Sequence, residues 1–125
     1  MKLLDVMKKI LIIDDDSKLQ LIFKDKLKKE GFETLEALSG MEGIKLAKEQ
    51  QPDVIILDIL MPGILGTDVL TAIKKDPDIG LTPVIMLTNV EDQGVNSYQK
   101  GAVWYYIKAN TVLEEIIQKI KEILD

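Results

Sequence analysis

Cysteine and histidine are both missing from the 125 residues. Without cysteine there is no disulfide, no thiolate nucleophile and no sulfur-ligated zinc or iron; without histidine there is no histidine-based triad, no imidazole metal site and no phosphohistidine on this chain. Any bound metal must therefore be held by oxygen. That favours a hard ion such as magnesium, which keeps several waters and takes only one or two carboxylates plus phosphate oxygens. No apolar run is long enough to span a membrane, and residues 1–7 are too short and too charged for a secretory signal, so a cytoplasmic protein with no membrane partner is expected. A basic stripe is absent as well. The net charge is −5, and the lysines of KDKLKKE and QKIKE alternate with acids as on solvated helix faces, which argues against direct nucleic-acid binding.

What is present is enough for one core: 46% of the residues are apolar, the length is near that of a common domain, and there is no low-complexity stretch, long linker or repeat beyond a β-α alternation. Ile10 to Ile13, Val54 to Leu57 and Val84 to Leu87 are continuously apolar and rich in β-branched residues, as strands covered by helices on both faces should be. Between them lie amphipathic segments. Leu19, Ile22, Phe23 and Leu27 recur at helical spacing before Gly31, a candidate cap, and Leu113, Ile116, Ile117, Ile120 and Leu124 do so near the end. Capping-box spacing marks Ser17 with Gln20, Ser39 with Glu42 and Thr111 with Glu114. Further helices are predicted from Gly66 to about Lys75 and from about Glu91 to Lys100. The result is β-α repeated five times, and right-handed crossovers between parallel strands give an α/β doubly wound sheet with helices on both faces, a three-layer sandwich.

Polar residues stand at the ends of these runs: Asp14 and Asp15 after KILII, Asp58 after VIIL, Thr88 after VIML and Lys108 after YYI. In a parallel sheet they gather at one carboxyl edge, where open α/β sheets place ligands. Three carboxylates together repel unless a divalent cation neutralises them. Asp58 is the candidate nucleophile, since an aspartate can form an acyl phosphate; Lys108 would set a charge on the phosphate and Thr88 a hydroxyl donor. Taken singly, an aspartate after a strand more often caps a turn or helix, as at Asp16 or Ser17, and a lone lysine or threonine there means little. The joint placement is the signal.

KILIIDDD, DVIILDILMPG with Gly66 after it, PVIMLT and GAVWYYIK together resemble the receiver domain of response regulators in two-component signalling, over residues 8–125 with residues 1–7 as an extension. The resemblance implies a flavodoxin-like sheet of order 2-1-3-4-5. It implies phosphoryl transfer onto Asp58 from a histidine kinase or histidine phosphotransfer protein. Asp14 and Asp15 match the acidic pair that organises magnesium, or manganese in its place, and Leu60 the position whose backbone carbonyl also ligates it. Thr88 and Lys108 match the residues that hold the phosphoryl group, and Tyr105 the aromatic that follows the threonine's inward movement. The implied output is a switched surface from about Glu91 to Lys119 that meets a protein target. A single-domain regulator, monomeric or dimerising weakly on phosphorylation, is expected.

The pattern departs from the family at Ala109, where proline in a cis peptide is usual, at Asn89, where a small residue is usual, and at Leu65, where an acid is common. A cis bond to alanine would cost about 3 kcal/mol, so the loop is either trans or strained. Two other classes are weighed. A degenerate receiver would bind partners without being phosphorylated; the intact Asp14, Asp15, Asp58, Thr88 and Lys108 oppose it, and Asn89 and Ala109 speak for it. A phosphatase with an aspartate nucleophile would usually place a second aspartate at position 60, which is leucine.

Overall fold

The computed structural model describes residues 7–59, 61, 63–88, 100–108 and 111–125. Five strands, β1 (Lys9–Ile13), β2 (Glu33–Ala37), β3 (Val54–Asp58), β4 (Val84–Thr88) and β5 (Trp104–Ile107), form one parallel sheet of order β2-β1-β3-β4-β5. This is the order the resemblance implied. The three continuously apolar runs are the three central strands, buried at nearly every position, whereas ETLEA and WYYI at the edges keep exposed residues. A central strand of a doubly covered sheet has no wet side and so shows no alternation.

Helices α1 (Ser17–Lys29) and α4 (Leu113–Leu124) cover one face, where Phe23, Leu27, Ile117 and Ile120 meet Ile10, Ile12, Ile56 and Ile85. The other face carries α2 (Gly40–Gln50) and α3 (Gly66–Lys75), whose Ala47, Val69, Leu70 and Ile73 meet Leu11, Ile13, Ile55 and Met86. Successive strand residues thus feed opposite layers, as the pleat dictates. The helix expected from about Glu91 lies outside the described residues except for Lys100, which stands in a turn, and Leu60, Asn89 and Ala109 also lie outside them. Among the described residues no helix is long and apolar enough to cross a membrane.

Helix ends correct two of the three expected capping boxes. At α1 the cap is Asp16, whose carboxylate accepts from the backbone N–H of Lys18 at 3.0 Å and Leu19 at 3.2 Å. A charged oxygen one residue earlier outcompetes the Ser17 hydroxyl, and Gln20 turns inward to donate to three backbone carbonyls. At α4 the cap position is Val112, without a side-chain bond, and the Thr111 hydroxyl donates to Ile107 O instead. Ser39 does cap α2, accepting from Glu42 N, although the Glu42 carboxylate reaches Leu38 N rather than that of Ser39. Gly31 ends α1 as expected. At φ +92° it lets its own N–H reach Lys28 O and that of Phe32 reach Leu27 O, a Schellman closure that also packs Phe32 into the same core as Leu27.

Candidate functional site

Strand register brings the polar ends together. Ile13 pairs with Leu57, Leu57 with Met86 and Met86 with Tyr105, so the next residues along, Asp14 and Asp58, emerge side by side from adjacent strands. Asp14, Asp58 and Thr88 are buried, at 0%, 3% and 0% exposure, while Asp15 is exposed. One carboxylate oxygen from each of Asp14, Asp15 and Asp58 lies within 4.8 Å of the others. The first turn of α3 secures this edge: Gly66 N donates to Ile59 O at 2.8 Å, and a Cβ at position 66 would lie 2.2 Å from Asp58 O. Only glycine permits that approach.

Lys108 enters from the end of β5. Its ammonium donates to Asp14 Oδ2 at 3.1 Å and lies 3.3 Å from Asp58 Oδ1, with a side chain only 24% exposed. Burial works to lower its pKa, but attraction to Asp58 and the hydrogen bond and attraction to Asp14 together outweigh it and hold the ammonium above the ordinary lysine value. Asp14 is engaged on both oxygens, because Oδ1 accepts from Asp16 N at 2.9 Å. Buried carboxylates are costly unless paired, and here one lysine serves two of them. The three acids and Lys108 are therefore assembled as the sequence implied, with Leu60 outside the described residues.

Thr88 and Tyr105 share a face of the sheet, since Tyr105 pairs with Met86 and Thr88 follows Met86 by two residues. Tyr105 is half-buried against the α2 and α3 layer. Tyr106 points to the other layer and donates its hydroxyl to Glu115 O at 3.2 Å, and Trp104 lies under the Lys119 ammonium, 3.9 Å from the ring centre. Both contacts tie β5 to α4. On the α1 and α4 side, an apolar groove of about 250 Å³ opens beside Lys108 between Leu19, Phe23, Leu87, Leu113 and Ile116.

The donor set fits a hard divalent ion: all three side chains offer oxygen, one of them is exposed, and the Lys108 ammonium is shared between two of the carboxylates. Sequence reasoning missed Gln20, which holds the backbone beneath these acids. Its spacing to Phe23 and Leu27, three and seven residues, could have flagged it as a buried polar group on the apolar stripe.

The family model for the response regulator receiver domain matches residues 10–121. The chain is 30% identical over 118 residues to the polar-differentiation response regulator DivK of Brucella ovis, spanning 94% of this chain and 96% of that one. Among solved structures it resembles a putative response regulator from Chloroflexus aurantiacus, with a TM-score of 0.88, 28% identity and coverage of 95% and 98% of the two chains. It is also similar to the Vibrio cholerae chemotaxis protein CheY4, with a TM-score of 0.86, 25% identity and coverage of 94% and 99%.

Proposed function

The chain belongs to the response regulator receiver domain family, and from that premise we propose that it accepts a phosphoryl group on Asp58 from a phosphohistidine of a kinase or phosphotransfer protein. The observation that carries this reading is the pairing of Lys108 with both Asp14 and Asp58 beside the exposed Asp15. A carboxylate oxygen of Asp58 attacks phosphorus, the P–O bond forms as the P–N bond to the donor imidazole breaks, and the imidazole takes up a proton as it leaves. Lys108 stays charged through neutral pH and can turn from Asp58 to a phosphoryl oxygen as negative charge moves there. The Thr88 hydroxyl donates to another phosphoryl oxygen.

Asp15 and Asp58 would hold magnesium directly, together with the Leu60 carbonyl that the family resemblance implies, while Asp14 acts mainly by orienting its neighbours because both its oxygens are engaged. When bound, the ion supplies positive charge opposite the incoming phosphoryl oxygens. Drawing Thr88 toward the phosphoryl group vacates space on the face it shares with Tyr105, and the ring moves inward. That local hydrogen bond biases a surface from 91 to 119 between two packings, which a protein target in the cytoplasm reads. The test is intact mass after incubation with magnesium and acetyl phosphate: wild type gains one phosphate and Asp58→Asn gains none. Equal labelling of the two proteins would reject the assignment.

A further inference from the structure

One member of the acidic site lacks a side-chain support. Asp14 and Asp58 are buried and held by Lys108, whereas the Asp15 carboxylate is exposed and has no hydrogen bond or ion pair among the described residues. Its oxygen still lies within 4.8 Å of the other two, so the backbone must aim it.

Gln20 holds that backbone. It is 2% exposed on α1, and its amide nitrogen lies 2.9 Å from Ile12 O, 3.1 Å from Asp14 O and 2.9 Å from Ala37 O. The Asp14 carbonyl belongs to the peptide that joins Asp14 to Asp15. Ala37 O also accepts from Asp14 N at 3.0 Å, so both polar backbone groups of Asp14 are tied into one network that spans β1, β2 and α1. Three converging carbonyl oxygens demand a donor, which fixes the amide with its nitrogen toward them. The opposite oxygen, Gln20 Oε1, is left buried without a partner. An unpartnered buried oxygen is unfavourable, and the side chain accepts it while keeping its donors on the strand ends.

We propose that Gln20 is a positioning residue for the cation site: by fixing the Asp14–Asp15 peptide it aims the Asp15 carboxylate. This rests on the reading of Asp15 as a cation ligand. Partners that orient ligands typically change metal affinity by about 10- to 100-fold.

Two measurements test it. The first needs no ion: amide exchange resolved by NMR compares wild type with Gln20→Met, a side chain of equal length without donors. The amides of Asp14 and Asp16 are expected to exchange at least about tenfold faster in the variant, relative to Ile56 in the central strand. Unchanged rates overturn the proposal. The second is a cycle of magnesium affinities by calorimetry. Gln20→Met should weaken binding by about tenfold in the wild-type background and have little further effect in Asp15→Asn, because the aim of that carboxylate no longer matters. Additive losses would mean that Gln20 acts as general scaffolding, and would overturn the proposal. If wild type bound no magnesium, the proposed cation site would fail, and the ion-free exchange comparison would decide the positioning claim alone. Should Gln20→Met not fold, Gln20→Glu replaces it in both comparisons.

Discussion

Replacing Lys108 with methionine removes an ammonium that faces two buried carboxylates and keeps most of the side chain's apolar length. Breaking a buried ion pair from one side costs about 3–5 kcal/mol, because the remaining charge is left uncompensated. Asp14 and Asp58 are almost fully buried, but Lys108 keeps about a quarter of its side chain in water. The lower end, about 3 kcal/mol, is therefore expected. With a urea slope of about 2 kcal/mol/M, the unfolding midpoint falls by about 1.5 M. Magnesium should recover at least half of this loss, since the ion replaces the missing positive charge in the native state alone. The pH dependence has a definite sign. A lysine whose folded pKa lies above the ordinary 10.5 contributes fully below that value and loses its contribution only as pH climbs through the raised one. The difference between wild type and variant should thus be flat from about pH 7 to about pH 10 and shrink above. A midpoint shift under about 0.3 M, or one that magnesium leaves unchanged, would refute the charge argument.

Asp15→Asn should weaken magnesium binding by at least about tenfold in calorimetry, as loss of a direct charged ligand does, while Asp14→Asn should cost less; equal effects would contradict the division of roles. Gly66→Ala should destabilise by about 3 kcal/mol in urea unfolding, because its Cβ would meet Asp58 O at 2.2 Å and Ile59 Cα at 2.5 Å, and backbone atoms cannot swing away. A variant as stable as wild type would show that the edge yields freely. Beryllofluoride with magnesium should change amide exchange in β5 and the first turns of α4. Changes confined to the surroundings of Asp14 and Asp58 would make Tyr105 a packing residue only.

The central strands and the site they carry were legible because burial on both faces leaves uninterrupted apolar runs, and a polar residue ending such a run is conspicuous. Edge strand β2 left no such mark, since Glu33 and Glu36 interrupt ETLEA and are exposed at the sheet's edge. Strand order was not written in periodicity at all and came from the family resemblance. The phase of α1 was misjudged in part: Ile22, assigned to the apolar stripe, is 56% exposed, while Gln20 is buried with Phe23 and Leu27. Residue type alone concealed this, because the partners that make a buried glutamine acceptable are carbonyls of β1 and β2, remote in sequence. The same reason explains the false boxes at Ser17 and Thr111, where spacing fits but a neighbouring carboxylate or a carbonyl from β5 is the better partner.

The central claim is that Asp58 is the phosphoacceptor, and trapping the acyl phosphate tests it most directly. Wild type is incubated with magnesium and acetyl phosphate, reduced with borohydride, which converts an acyl phosphate to the alcohol, and mapped by peptide mass spectrometry. The account expects the reduced residue at position 58 and nowhere else, with none in protein kept from magnesium. Reduction at Asp14 or Asp15 with Asp58 intact, or no reduced residue at all, would contradict it.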